Sequence, residues 1–343
     1  MKKHLNTLFV TSQGAYLAKE GETVTVKVED EIRLRLPVHT LAGIVCFGRV
    51  SMSPFLMGFC AERDVGVSFL TERGRFLARV QGPVAGNVLL RREQYRRADD
   101  SAGAAAIARS VITGKVANCR IVLQRALRDH GDKVDEAGLK QAVKRLTVAL
   151  RQLGKGDNVD SLRGIEGDAA RCYFGVFDHL VTARKDEFCY TGRSRRPPLD
   201  NINCLLSFLY TLLLHDCRSA LESVGLDPAV GFLHRDRPGR PGLALDIMEE
   251  FRPFFADRLA LSLINRSQVQ GNGFTVSEGG AVRMNDETRK TVLVAYQQRK
   301  QEEIVHPFLG EKVEVGLLPH LQAMLMARHL RGDLDGYPPF VWR

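Results

Sequence analysis

The spacing of apolar and polar positions changes once along this chain. From residue 5 to about 80, apolar residues come in short β-branched and aromatic runs cut by turn residues. Leu8-Phe9-Val10, Tyr16-Leu17-Ala18, Thr23–Val28 and Ile32–Leu36 are separated by Gly14, Gly21 and Asp30, a succession that predicts short strands. The last two alternate apolar with polar side chains, as strands with one buried face do. Gly43–Phe47 and Val65–Leu70 extend the series, Pro54–Arg63 between them predicts a helix, and Gly82-Pro83 punctuates the chain.

Beyond residue 84 the period becomes helical. The segments 102–112, 116–130, 136–153, 159–181, 201–224, 243–251, 254–268, 286–303 and 316–330 carry helical periodicity or good helix formers. Thr275-Val276-Ser277 and Ala281-Val282-Arg283 predict a small hairpin, with Asn285 or Asp286 capping the helix that follows. The expected class is α+β: a small β-rich N-terminal domain, 1–83, followed by a large, mostly α-helical domain, 84–343.

Composition changes that picture little until charge is placed on it. With 343 residues, 44% hydrophobic and 26% charged, the chain reads as an ordinary globular protein. Lys plus Arg outnumber Asp plus Glu by 49 to 40, a net +9. Arginine gathers in clusters: Arg91-Arg92 with Arg96-Arg97, then Arg193, Arg195 and Arg196, then Arg235, Arg237 and Arg240. Guanidinium groups grip phosphates bidentately, so the clusters favour a nucleic-acid partner. Cysteines 46, 60, 119, 172, 189, 204 and 217 form no CxxC pair, which indicates neither a disulfide framework nor a zinc site. With no membrane-length apolar run and no signal-like start, the expectation is a cytoplasmic protein with reduced thiols and no membrane partner.

The candidate chemistry lies in the helical half. Leu243–Pro253 packs Asp246, Glu249 and Glu250 into an apolar helical pattern; at helical spacing these acids share a face, Leu245, Met248 and Phe251 take the other, and Pro253 stops the helix. His234 precedes them in a loop rich in arginine and glycine. Arg163-Gly164-Ile165-Glu166-Gly167 sets one acid between two glycines; glycine in a helix costs on the order of 1 kcal/mol against alanine, so this pair suggests close approach by a backbone or a ligand. Carboxylates with one imidazole make a mixed O/N donor set suited to Mn²⁺ or Mg²⁺. Such an ion would polarise a phosphoryl oxygen while the arginine loop held flanking phosphates. Each part has a plainer reading as solvated surface, and the spacing leaves open which of Asp246, Glu249 and Glu250 would face a metal. Arg193–Tyr210 adds a basic Pro-Pro loop leading through Asp200 or Asn201, as a cap, into an apolar helix.

On Arg163–Gly167, Arg195-Arg196-Pro197-Pro198…Asn203…Leu206-Ser207, Gly231-Phe232-Leu233-His234 and Leu245–Arg252, in that order and spacing, the chain resembles the CRISPR-associated integrases of spacer acquisition over essentially its whole length. The resemblance implies metal ligands at Glu166, His234 and Glu249, with Asp246 in a supporting or ligand role near the metal. Glu250 has no role in the resemblance and reads as an outer neighbour or an Arg252 partner. DNA contacts fall to Arg193, Arg195, Arg196, Arg235, Arg237, Arg240 and Arg252. The implied reaction is metal-dependent transesterification, in which the 3′-hydroxyl of a foreign fragment attacks a repeat-end phosphodiester of the CRISPR array. The implied partners are double-stranded DNA, a second copy bound through the β domain, a small ferredoxin-like CRISPR-associated dimer and a helper nuclease. Two other readings compete: a general structure-selective, metal-dependent DNase, which would cut branched or single-stranded DNA without joining ends, and a non-catalytic basic scaffold.

Overall fold

The structure is a computed structural model that describes residues 6–342 apart from 64, 73–75, 81, 83–87, 132, 133, 155 and 157. Two compact units emerge, Met1–Gly86 with Lys300–Glu302, and Asn87–Arg299 with Glu303–Arg343. Residue 83, where the sequence places the junction, lies outside the described residues.

In the first unit β1 (Asn6–Val10), β5 (Leu41–Phe47) and β7 (Gly66–Leu70) pair in parallel and β8 (Phe76–Val80) closes that sheet antiparallel. A second sheet runs β4 (Glu31–Pro37), β3 (Thr23–Val28), β2 (Tyr16–Glu20), β6 (Ser51–Met52). Apolar side chains of both sheets and of helix α1 (Pro54–Glu62) form one core, among them Leu17, Val24, Ile44, Leu56 and Val67. The alternation in β4 misleads: Ile32 and Leu34 are 41% and 38% exposed, on a strand that among the described residues pairs only with β3 and so lies at the edge of its sheet.

The second unit is helical: α2 (Val88–Asp99), α3 (Ser101–His130), α4 (Glu136–Leu153), α5 (Val159–Gly175), α6 (Asn201–Ser223), α7 (Gly242–Phe251), α8 (Arg258–Asn265), α9 (Asp286–Gln301) and α10 (Leu318–Leu330). Asp100, Asp135, Asn158 and Asp200 cap α3 to α6 by accepting backbone N–H bonds. Asn285 caps α9, accepting from Thr288 N at 2.8 Å. The hairpin forms as β9 (Phe274–Val276) and β10 (Val282–Met284), and a further one, β11 (Glu303–Val305) with β12 (Lys312–Glu314), carries too little periodicity to read from sequence.

Two expected interruptions are absent. Segments 102–112 and 116–130 are one helix, α3, because Gly114 is a packing residue: a Cβ there would lie 3.1 Å from both Glu250 Cγ and Pro339 Cβ. Pro253 does not stop α7. The backbone widens into π-type turns over Arg252–Asp257 and continues into α8, and the wider turn makes room for the ring and absorbs the missing N–H.

Candidate metal and DNA site

Three elements of the second unit place the expected ligands. Helix α5 carries Glu166, α7 carries Asp246, Glu249 and Glu250, and the loop from Gly231 to Pro241 carries His234. The loop is fastened at its start, where Gly231 lies so close to Gly242 that a Cβ would stand 2.6 Å from that residue's carbonyl carbon. Asp246 then gathers the loop, accepting from the N–H groups of Phe232 at 2.6 Å, Leu233 at 2.9 Å and His234 at 3.0 Å. Its Oδ1 also lies 2.6 Å from His234 Nδ1. With Nδ1 engaged by this carboxylate, Nε2 is the ring nitrogen turned towards the other acids, and it stands 4.0 Å from Glu249 Oε1. Asp246 is therefore a buried positioning group for the imidazole. From α5, Arg163 Nε donates to Leu233 O at 2.7 Å and Asp160 pairs with Arg235 at 2.8 Å, so loop and helix are tied together.

Between the two glutamates sits a residue the sequence reading passed over. Lys115 of α3 is buried, and its ammonium pairs with both Glu166 Oε1 and Glu249 Oε2, the latter at 2.7 Å. Arg252 Nη1 holds Glu249 Oε1 at 2.7 Å. Burial opposes the charge on Glu249, yet Arg252, Lys115 and His234 together bring its carboxyl down to about 2. Burial likewise works against the Lys115 charge, but Glu249 and Glu166 raise it above the ordinary lysine value. Glu249 Oε2 is buried, and among the described residues its ion partner is this ammonium. Among the described residues no three His, Cys, Asp or Glu side chains converge as an ion-binding group in this arrangement. Glu166, Glu249 and the open Nε2 still supply the oxygen and nitrogen donors a divalent ion needs, around a place where a cation is already held.

Glu250 departs from the shared acid face. It accepts from Tyr337 OH at 2.7 Å, Phe340 N at 2.7 Å and Gln322 Nε2 at 3.0 Å, and burial pushes its carboxyl up to about 8. It clasps the C-terminal segment and is not the partner of Arg252. Adjacent helical residues diverge by about 100° at 3.6 residues per turn, and both sides of α7 are buried, so two neighbouring acids meet different surroundings.

Beside Glu166 and Lys115 opens a pocket of ≈ 420 Å³ lined by Tyr190, Arg193, Arg195, Tyr210, Arg252 and Asp257, among others. Asp257 accepts from Tyr210 OH at 2.5 Å and Tyr173 OH at 3.1 Å, and burial pushes it to about 6. Arg252 and Arg193 lie over the Tyr210 ring, 4.7 Å and 5.2 Å from its centroid. Arg193 also donates to Asn203 Oδ1 at 2.5 Å, so it is a wall of the pocket, half-buried, while Arg195 and Arg196 are exposed. Arg235 and Arg237 are exposed, Arg240 is half-buried, and Arg252 is committed to Glu249. No protein atom approaches the Cβ positions of Gly164 or Gly167, which removes the close-backbone reading, and Gly167 lines the pocket. Cys189 is exposed and the other six cysteines are buried, all as free thiols.

A family model described as "CRISPR associated protein Cas1" matches residues 8–298. The chain is 61% identical over 343 residues to the CRISPR-associated endonuclease Cas1 1 of Chlorobaculum tepidum, covering 100% of both chains. Among solved structures it is similar to a casposase bound to integration product, at TM-score 0.84 and 21% identity over 98% of this chain and 94% of that one. It is also similar to a chain of a Cas6-RT-Cas1–Cas2 complex, at TM-score 0.81 and 23% identity over 100% of this chain and 36% of that one.

Proposed function

This chain belongs to the CRISPR-associated Cas1 family, a family of nucleases of CRISPR adaptation, and from that premise we propose that it inserts short foreign DNA fragments into a CRISPR array by metal-dependent strand transfer. The observation that carries the reading is the buried Glu166–Lys115–Glu249 arrangement with His234 Nε2 alongside, opening on an arginine-lined pocket. Glu166, Glu249 and His234 would hold Mn²⁺ or Mg²⁺. When bound, the ion supplies Lewis acidity at the phosphoryl oxygens.

The chain's own groups do the remaining work. Asp246 fixes the imidazole so that Nε2 faces the acids. Arg193 and Arg195 reach the pocket and offer guanidinium forks to phosphates. Arg196, Arg235 and Arg237 extend that basic surface outward. In the reaction the fragment's 3′-oxygen forms a bond to the array phosphorus as the array strand's own 3′-oxygen leaves, and the hydroxyl proton ends on that leaving oxygen through solvent. One phosphodiester replaces another, so neither ATP nor a covalent enzyme intermediate is required.

Partners follow the same reading. The casposase carries this fold on an integration product, which supports double-stranded DNA as a partner here, and the complex carries it with Cas2, which supports a small CRISPR-associated dimer. The exposed apolar residues of edge strand β4, Ile32 and Leu34, suit pairing with a second copy. A helper nuclease as a further partner, and the cytoplasm as the place of action, belong to the same reading. No described helix is long and apolar enough to cross a membrane.

The test gives the purified protein Mn²⁺ and a labelled branched duplex that mimics a half-inserted fragment. Release of the branch with rejoining of the continuous strand, lost in His234→Ala, is the expected result. Cutting without rejoining would turn the reading to a structure-selective DNase, and activity unchanged in His234→Ala would overturn the site.

A further inference from the structure

Lys115 is out of character for its position. It lies in a run of α3 whose buried residues include Val111, Ile112, Val116 and Cys119, where an ammonium is strongly disfavoured unless paired. Its partners come from two different helices, Glu166 from α5 and Glu249 from α7. These are two of the three side chains proposed to hold a divalent ion, and the ammonium stands between them.

We infer that Lys115 is a resident counter-cation: without a divalent ion it holds Glu166 and Glu249 together, and the ion binds by displacing its ammonium. The inference deepens the metal-centre reading and rests on it. Charge balance carries the argument. Glu166 and Glu249 are already matched by Lys115 and Arg252, so a divalent ion added to these four groups would leave uncompensated positive charge in a buried place. Arg252 is pinned by its stacking on Tyr210 and its bond to Glu249. Lys115 is a compact charge on a flexible stem, and it lines the pocket together with Arg193 and Arg195. The displaced ammonium can therefore swing into the pocket, where a DNA phosphate gives it a new partner. Ion and DNA then bind with positive coupling, since each supplies what the other's arrival takes from Lys115. The arrangement assembles the acids before an ion arrives and reserves tight ion binding for the DNA-loaded state.

The experiment measures Mn²⁺ affinity of the metal-free full chain by titration calorimetry, with and without a short duplex. It compares the wild type, Lys115→Met, Lys115→Arg and Arg171→Gln, the last removing an exposed charge elsewhere on the pocket wall. Lys115→Met is expected to bind Mn²⁺ about ten-fold more tightly than wild type, the equivalent of one relieved ion pair. It should also melt lower without the ion, and its affinity should lose its dependence on the duplex. Lys115→Arg should stay within about three-fold of wild type, and Arg171→Gln within about two-fold, as a screened surface charge should. A Lys115→Met that binds Mn²⁺ no better than a wild type that does bind it would overturn the counter-cation role alone. Absence of Mn²⁺ binding in every protein would overturn both this role and the metal centre. If Lys115→Met does not fold, the structure of the wild type with Mn²⁺ decides: an ammonium out of reach of both glutamates supports the inference, and one still bridging them beside a bound ion overturns it.

Discussion

Glu249 and Glu250 are neighbours on one helix, yet they live in two regions with opposite electrostatics. Glu249 faces Lys115, Arg252 and His234 and is held ionised, its carboxyl at about 2. Glu250 faces Tyr337, Gln322 and the Phe340 N–H, with no cation against it among the described residues, and burial raises its carboxyl to about 8. Both are buried, so burial does not separate them; the presence of a compensating positive charge does. One side of α7 holds a buried carboxylate in its charged form. The other is built to keep a chain terminus closed with hydrogen bonds, a clasp that Asn118 completes by donating to Glu250 O and Phe340 O and accepting from Trp342 N.

That contrast can be broken from either side. The largest effect is expected at the donors: Glu166→Ala should lower strand rejoining by at least about a thousand-fold while duplex affinity stays within a few-fold, measured by gel assay and by binding titration. Next, Asp246→Asn keeps the shape of the loop anchor but cannot hold the imidazole as an ionised acceptor, and should lower rejoining by about 10–100-fold. On the clasp side, Glu250→Ala leaves the Phe340 N–H and the Tyr337 hydroxyl without an acceptor, which should cost about 3 kcal/mol in denaturant unfolding. A pH series sharpens the same point. Between about 4.3, the ordinary Glu value, and about 8, the folded chain keeps a proton on Glu250 that the unfolded chain has released. Stability associated with this group is thus greatest at the low end and falls as pH rises through that window, and Glu250→Gln should flatten the fall in the melting temperature. The smallest effect is at the rim: Arg195→Ala should weaken duplex binding several-fold and reduce the salt slope by roughly one phosphate contact.

Much of this was legible in the chain. Strands β1 to β5 and β7, helix α1 and the long helices declare themselves because local periodicity reports burial on one side. Asp200 and Asn285 act as the caps their positions suggest. The failures share a cause, which is that tertiary packing decided the outcome. Ile32 and Leu34 look half-buried until β4 proves to be an edge. Pro253 looks like a stop until the turn around it widens. Gly114 looks like a gap until it meets Pro339, more than two hundred residues away. Glu250 looks like a member of the acid face because spacing gives direction along a helix but not what stands opposite. Lys115 left one signal, a lysine within the stretch of α3 where Ala, Val and Ile recur, and its meaning needed the acids of two other helices beside it.

The most direct test compares Glu249→Gln with Glu250→Gln in the rejoining assay with Mn²⁺. Both substitutions preserve shape and remove one ionisable group, so only the role of the charge differs. Glu250→Gln should rejoin the branched duplex at close to the wild-type rate, because a neutral side chain is what that position already favours, and Glu249→Gln should not rejoin it. Equal loss in both folded variants, or rejoining by Glu249→Gln, would contradict that division of roles.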